Sequence, residues 1–254
     1  MMNFLAPLLA WFVKPNWTIY RDSPYGSDPQ QVGDFYMLNG GVRPAVIFIH
    51  GGGWSAGDKS VYEGRARRYA LAGFHVIAIN YRLAKFEDKS TQWPAQLNDV
   101  RLALKWVRDR AGALRVDPGR ICVAGDSAGG HLSLMLGLTD KPVCILNMFG
   151  PCDLRPMSDL LCKLPVFGGG PATEDACPIE RIGPDFPPTL TIHGTRDSTV
   201  AYEQALTLDR KLEALGVDHS LISYDGGHEF TDLPWWKEAW LEARGLWWIM
   251  RRIK

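Results

Sequence analysis

Short apolar runs alternate with longer amphipathic stretches along most of the chain. Continuous apolar runs are typical of strands buried on both faces of a parallel sheet, and they occur at 45–49, 76–79, 121–124, 143–146, 189–192 and 220–224. Apolar residues at helical spacing predict helices over 95–110, 128–138 and 199–215 and from about 235 onward. This alternation predicts an α/β fold with a mostly parallel central sheet and helices on both faces.

The first strand-like segments have a different pattern. Residues 18–20 and 32–38 alternate apolar and polar positions, which favours an antiparallel N-terminal edge ahead of the first buried strand. Residues 150–187 interrupt the rhythm with many prolines and glycines, and we expect a lid-like insertion over a pocket there. No repeat or linker divides the chain, so residues 1–254 are interpreted as a single domain.

The N-terminal segment, residues 1–35, is expected to lie near the site. Its residues 4–13 are apolar but too few to span a bilayer, which needs about 20. No basic residue precedes them and no small-residue cleavage site follows, so we expect packing on the body or over the pocket. Loose contact with a membrane surface and a degenerate export signal stay open, but stable membrane insertion is not expected.

Charge and cysteine content narrow the function classes. Basic and acidic residues balance at 28 each, which argues against a nucleic-acid partner and favours a neutral small molecule as substrate. The five cysteines lack metal-ligand spacing, and we interpret them as free thiols in a reducing, cytoplasmic compartment. A disulfide among Cys152, Cys162 and Cys177 remains open.

A serine between glycines follows one of the buried runs directly. Residues 125–130 read Gly-Asp-Ser-Ala-Gly-Gly, which is typical of a strained strand-to-helix turn that pushes a serine hydroxyl out of a sheet. Only residues without bulky side chains fit beside such a serine. Ser127 is therefore the predicted nucleophile.

A serine hydroxyl needs a base to take its proton and a carboxylate to orient that base. Asp197 follows the run 189–192 and His228 follows the run 220–224. Both residues are thus expected beyond the carboxyl ends of strands, where open α/β sheets place their ligand sites. The chain order Ser, Asp, His also fits this type of hydrolase. We predict a catalytic triad of Ser127, Asp197 and His228.

Three consecutive glycines follow the first buried strand, within the segment His-Gly-Gly-Gly-Trp at 50–54. Consecutive glycines let backbone N–H groups point inward, which suits the negatively charged oxygen of a tetrahedral intermediate. We predict that the amides of Gly52, Gly53 and Ala128 form the oxyanion hole. A tight loop at a strand end is the alternative explanation for a triple glycine taken alone.

Five motifs together resemble the α/β-hydrolase superfamily: His-Gly-Gly-Gly-Trp at 50–54, Asn-Tyr-Arg-Leu at 80–83, Gly-Asp-Ser-Ala-Gly-Gly at 125–130, His-Gly-Thr-Arg-Asp at 193–197 and Gly-Gly-His at 226–228. Within it they are similar to the hormone-sensitive-lipase-like esterases and to bacterial feruloyl and acetyl esterase-like carboxylesterases. The resemblance runs from about residue 30 to 230, and it implies an α/β-hydrolase fold, an acyl-enzyme on Ser127, no metal and no organic cofactor.

Two departures from the family pattern concern the substrate. Only 49 residues precede His50, which predicts a reduced cap and an open site. The family's usual Val-Pro after the acid is Val200-Ala201 in this chain. The reduced cap argues against activity on long-chain lipids.

Other titratable residues near the motifs have competing interpretations. His50 is expected to brace the glycine loop, and His131 and His193 are expected to have packing or hydrogen-bonding roles. The acids that could replace Asp197 as the orienting carboxylate are Asp153, Asp225 and Asp232.

The leading functional hypothesis is a serine esterase, a carboxylesterase that cleaves short-chain acyl esters such as acetyl esters. An arylformamidase-like amide hydrolase is the enzymatic alternative, because the same residues serve both bonds. A ligand receptor on a retired hydrolase fold is the non-catalytic alternative. Five of the ten tryptophans lie in the last predicted helix, where they indicate either packing on the sheet or a dimer contact. The chain is therefore expected to be a monomer or a homodimer.

Overall fold

The computed structural model describes residues 16–230 and 232–253. Within them lies one eight-stranded sheet with the order β1-β2-β4-β3-β5-β6-β7-β8. Its strands are β1 Trp17–Pro24, β2 Val32–Leu38, β3 Arg43–Ile49, β4 His75–Ile79, β5 Val116–Asp126, β6 Cys144–Met148, β7 Thr189–Gly194 and β8 His219–Tyr224. Strand β2 pairs antiparallel with β1 and β4, whereas β3 to β8 pair in parallel. The predicted antiparallel N-terminal edge and parallel centre are confirmed.

Helices cover both faces of the sheet. They are α1 Glu63–Leu71, α2 Ala95–Asp109, α3 Ala111–Leu114, α4 Ala128–Thr139, α5 Ser158–Leu161, α6 Pro178–Arg181, α7 Glu203–Ala214 and α8 Trp235–Arg252. Helices α2, α4 and α7 contribute to the core on one face, and α1 and α8 contribute to the core on the other. The run of β3 is apolar throughout because both of its faces are buried. Ile47 and Ile49 face the first core, whereas Val46 and Phe48 face the second.

Three of the differences from the sequence expectations have a clear physical reason. Helix α1 was not predicted, because its apolar positions are hidden among Glu63, Arg65, Arg67 and Arg68. Strand β5 begins at Val116 rather than at 121, because its polar first half also pairs with β3 across a register shift.

Helix α7 begins at Glu203 rather than at 199. The amides of Thr199 and Val200 donate to the side chain of Asp197, so these residues form a turn instead of the first helical turn.

The segment 150–187 lies between β6 and β7 and contains α5, α6 and three short 3₁₀ turns. It contributes buried side chains, including Leu161, Val166 and Ile179, to the core that contains α4. The expectation for residues 4–13 falls outside the described residues. Across the described ranges, none of the helices combines the length and apolar character that a membrane span requires.

Candidate active site

Ser127 occupies the sharp turn between β5 and α4. Its φ of 50° and ψ of −118° lie outside the regions that L-residues normally adopt, so the surrounding backbone imposes this conformation. A Cβ atom added at Gly129 would lie 1.9 Å from the carbonyl oxygen of Ile49, and one added at Gly125 would lie 2.3 Å from the carbonyl carbon of Gly129. The glycines on either side of Ser127 are therefore required by close backbone approach.

His228 bridges the serine and an acid. Its Nε2 lies 3.0 Å from Ser127 Oγ, and its Nδ1 lies 2.6 Å from Asp197 Oδ2. An ionised carboxylate only accepts hydrogen bonds, so Nδ1 donates to Asp197 and Nε2 is left to accept the serine hydroxyl. The ring also makes an edge contact with Phe149, at 4.8 Å between centroids. This arrangement can remove the hydroxyl proton of Ser127 and return a proton to a leaving group.

The Asp197 side chain is fully buried and well supplied with donors. Its Oδ1 accepts the amides of Thr199 and Val200, both at 2.9 Å. Its Oδ2 accepts from His228 and lies 3.2 Å from Nε2 of His193. Burial alone would raise the pKa of this carboxyl, but the hydrogen bonds from His193, His228 and Val200 hold its pKa well below the usual value. Asp197 is thus ionised at neutral pH despite its burial.

The predicted oxyanion-hole residues lie beside Ser127. Gly52, Gly53, Ser127 and Ala128 all line one cleft, together with His228. Gly52 and Gly53 have φ values of 103° and 57°, in the region that favours glycine. Among residues 16–230 and 232–253, the amides of Gly52, Gly53 and Ala128 donate no hydrogen bond to another protein group. These donors are free to bind a developing negative charge.

Asp126 holds the glycine loop against the serine turn. Its Oδ2 accepts the amide of Gly51 at 3.2 Å, and its Oδ1 accepts the hydroxyl of the buried Tyr62. The Tyr62 hydroxyl oxygen also lies 3.1 Å from the carbonyl oxygen of Ile49. The carboxylate thereby joins the two backbone segments that carry the predicted oxyanion-hole amides. This role leaves no signal in the sequence, because it depends on the pairing of β3 with β5.

The cleft above Ser127 has a volume of about 590 Å³ and is mainly apolar. The segment 150–187 supplies its Met157, Leu160 and Leu164. A Cβ added at Gly53 would lie 3.3 Å from Leu164 Cδ1, so this leucine lies directly against the glycine loop. The segment 150–187 therefore contributes one wall of this cleft.

The other histidines lie where they support the site. His50 stacks on Tyr81 at 4.4 Å between centroids, and its Nδ1 lies 2.8 Å from the carbonyl oxygen of Gly51. His131 donates from Nε2 to the carbonyl of Ala176, at 2.7 Å, and so joins α4 to the segment 150–187. His193 is fully buried. The sequence expectation for His193 did not include its contact with Asp197. The spacing of four residues, with Gly194 between them, is a sequence feature that could have indicated it.

The three rival acids are engaged elsewhere. Asp153 pairs with Arg155 at 2.7 Å, and Asp225 pairs with Arg196 at 2.7 Å. Asp232 accepts the amide of Gly227 at 2.9 Å.

The sequence and the fold of this chain are similar to those of known proteins. A family model described as BD-FAE matches residues 34–144. Esterase LipC of Mycobacterium tuberculosis is 32% identical over 81% of this chain and 58% of its own length. Carboxylesterase NlhH of the same species is 43% identical over 39% of this chain and 30% of its own length. A solved structure described as a truncated form of a carbohydrate esterase from gut microbiota is 26% identical, with a TM-score of 0.77 over 92% of this chain and 98% of that one.

The chain belongs to the α/β-hydrolase superfamily. The resemblance to the hormone-sensitive-lipase-like and feruloyl or acetyl esterase-like groups is confirmed, since the matched relatives are named esterases and carboxylesterases. This α/β-hydrolase spans 58% of LipC and 30% of NlhH, which is less than two thirds of either curated relative.

Proposed function

We propose that the chain is a serine carboxylic ester hydrolase that cleaves short-chain acyl esters through an acyl-enzyme intermediate. The observation that carries the proposal is the placement of His228 between Ser127 Oγ, at 3.0 Å, and Asp197 Oδ2, at 2.6 Å. The names of the matched relatives, which are esterases and a carboxylesterase, support the same reaction class.

In the acylation half, His228 Nε2 takes the proton of Ser127 as Oγ attacks the ester carbonyl carbon. The amides of Gly52, Gly53 and Ala128 hold the oxygen that becomes negatively charged. The imidazolium then gives its proton to the alkoxide of the leaving alcohol, and the carbon–oxygen bond of the ester breaks. Asp197 stays ionised throughout and stabilises the positive imidazolium.

In the deacylation half, a water molecule replaces the alcohol. His228 takes one proton from this water as its oxygen attacks the acyl carbonyl. The tetrahedral intermediate collapses with cleavage of the bond to Ser127 Oγ, which recovers its proton from the imidazolium. The products are a carboxylic acid and the original hydroxyl of Ser127.

The preference for short acyl groups rests on the position of Leu164. This side chain lies against Gly53, next to the place where the carbonyl oxygen of a bound ester would sit. It therefore limits the space for a long acyl chain at that wall. The carbohydrate esterase found by structural comparison makes acetylated sugars suitable substrates to test beside aryl acetates.

The decisive experiment compares Ser127→Ala with the parent on p-nitrophenyl acetate. The expected loss of kcat is on the order of a millionfold, because the nucleophile is removed. Ser133→Ala is the matched control, since Ser133 lies in α4, the helix that follows Ser127, and donates to the Gly129 carbonyl at 2.8 Å. A fluorophosphonate should label the parent and the control on Ser127 and leave Ser127→Ala unlabelled. Equal turnover by Ser127→Ala and the parent would overturn the proposal. N-formylkynurenine in the same assay measures the amide alternative.

A further inference from the structure

Helix α8 carries an aromatic and basic outer surface that the reaction does not use. Leu241, Trp248 and Ile249 are buried against the sheet. The opposite side exposes large side chains, with Trp235 at 79%, Trp236 at 55%, Trp240 at 50% and Trp247 at 45% of their surface. We call this outer surface the α8 stripe; it consists of Trp235, Trp236, Lys237, Trp240, Arg244, Trp247 and Arg251.

Helical spacing brings the rings and cations of the α8 stripe into contact. Arg244 lies 5.4 Å from the ring centre of Trp240 and 5.9 Å from that of Trp247. Arg251 lies 4.8 Å from the Trp247 ring, and Lys237 lies 5.6 Å from the Trp236 ring. The positions 240, 244, 247 and 251 follow one face of the helix. The result is a continuous surface of indole rings and cations.

The cations of the α8 stripe are separated from the carboxylate of Glu242. Among residues 16–230 and 232–253, no carboxylate lies within 4.0 Å of the charged groups of Lys237, Arg244 or Arg251. Glu242 instead faces α1, where it pairs with Arg65 and Arg68 and is only 8% exposed. The α8 stripe thus combines apolar rings with unpaired positive charge.

We propose that the α8 stripe docks the protein on the surface of an anionic phospholipid bilayer. An indole ring is stabilised at the boundary between headgroups and acyl chains, where its apolar body and its N–H are both accommodated. Guanidinium and ammonium groups beside it pair with lipid phosphates, which supplies the negative charge that the stripe lacks. A second copy of the chain is a poorer partner, because two-fold pairing of the stripe with itself would bring unpaired cations together.

The location of α8 links this surface to the active site. The helix begins at Trp235, seven residues after His228, which lies in the preceding loop. Glu238 in its first turn lines a pocket of about 270 Å³ together with Glu229 and Phe230. Docking along the α8 stripe therefore holds the loop of His228 close to the lipid surface. This consequence rests on the proposed function, but the docking itself does not.

Co-sedimentation with vesicles of defined composition tests the proposal. The parent should bind vesicles of phosphatidylcholine mixed with phosphatidylglycerol at low salt, with a blue shift of tryptophan fluorescence. It should bind vesicles of phosphatidylcholine alone much more weakly. Arg244→Gln with Arg251→Gln should weaken binding about fivefold for each charge removed. Trp240→Ser with Trp247→Ser should remove both binding and the fluorescence shift.

Two controls make the outcome specific. Tyr20→Ser with Arg43→Gln removes an exposed ring on β1 and an exposed cation at the start of β3, both outside the α8 stripe, and should bind as the parent does. Ser127→Ala should also bind as the parent does, so that a failure of docking is separate from a failure of the proposed reaction. The proposal is overturned if the parent does not bind anionic vesicles at low salt or if the tryptophan variant still binds. The proposal is likewise overturned if the parent sediments as a dimer and the tryptophan variant sediments as a monomer. The α8 stripe would then bind a second copy of the chain.

Discussion

His193 Nε2 lies 3.2 Å from Asp197 Oδ2, the same oxygen that accepts the hydrogen bond of His228. The same nitrogen lies 2.8 Å from the carbonyl oxygen of Val200. Since a carbonyl only accepts, Nε2 carries the proton, and this single N–H is shared between the Val200 carbonyl and the Asp197 carboxylate. His193 therefore fixes the carboxylate that orients His228, although it does not touch the cleft.

Replacement of His193 should lower kcat and leave KM nearly unchanged. In His193→Ala, Asp197 loses a hydrogen bond to its charged form, which is worth about 1.5–3 kcal/mol and corresponds to about a 10- to 100-fold loss in kcat. His193→Gln keeps a donor at the position of Nε2 and should recover most of the rate. Steady-state kinetics on p-nitrophenyl acetate gives both constants, and circular dichroism establishes that each variant is folded. A role limited to packing predicts no rescue by glutamine and no selective change in kcat.

Leu164 is expected to set the acyl-chain limit. Truncation to alanine removes the side chain that lies against Gly53 and enlarges the cleft at that wall. Leu164→Ala should raise kcat/KM for p-nitrophenyl octanoate relative to the acetate by about tenfold, because extra methylenes then find space. Leu71→Ala is the matched control, since Leu71 is exposed and lies in α1, outside the residues that line the cleft. An unchanged ratio of the two esters would show that another wall limits the acyl group.

Gly129 should tolerate no larger residue. A methyl group there would lie 1.9 Å from the Ile49 carbonyl oxygen, and that backbone belongs to a central strand that cannot move easily. We expect Gly129→Ala to lower the free energy of unfolding by about 3 kcal/mol. Gly112→Ala in α3 is the matched control, since nothing lies within 4 Å of the added methyl. That change should raise the stability by up to about 1 kcal/mol, because alanine favours a helix. Urea unfolding that gives both variants the same stability would contradict the close approach.

The fold and the geometry of the candidate triad could be predicted because their signals are local. The glycines beside Ser127 follow from one backbone turn, and the apolar run of β3 follows from burial on both faces. The acid and the base each come directly after a strand run, so the common edge of a parallel sheet brings them together.

The supporting contacts could not be predicted because they depend on register and distance in sequence. Asp126 reaches Gly51 only because Ile49 pairs with Gly125 across β3 and β5. The side chain of Arg65 is only 14% exposed, in a helix whose many charges hide its apolar positions, and its partner Glu242 lies 177 residues away. A charged residue such as Arg65 is normally interpreted as exposed, and only the position of Glu242 in the fold shows otherwise.

The contact that Trp54 makes could not be predicted either. In the sequence Trp54 directly follows the three glycines of the segment 50–54. The structure buries it to 3% exposure, with its ring edge-on to His131 at 5.3 Å between centroids. Trp54 therefore braces the glycine loop against α4. This contact could not be predicted, because it depends on how the glycine loop and the start of α4 face each other at one edge of the sheet.

His131 should make the protein less stable in mild acid. Burial lowers the pKa of its imidazole to about 4, and the hydrogen bond to the Ala176 carbonyl offsets this only in part. In the unfolded chain the pKa returns to about 6.5, so the unfolded state binds the proton first as pH falls. The free energy of unfolding is thus unaffected by this group above about pH 6.5 and decreases from there toward pH 4, by up to about 3 kcal/mol.

His131→Gln isolates this contribution, because glutamine keeps a donor for the Ala176 carbonyl and has no titrating group. Urea unfolding of parent and variant should give a constant difference in stability above neutral pH. The difference should then shift in favour of the variant between about pH 6.5 and 4. His50 and His75, whose pKa values are also lowered by burial, are present in both proteins and cancel in the comparison. A difference that stays constant across this range would mean that His131 is not held neutral in the folded state.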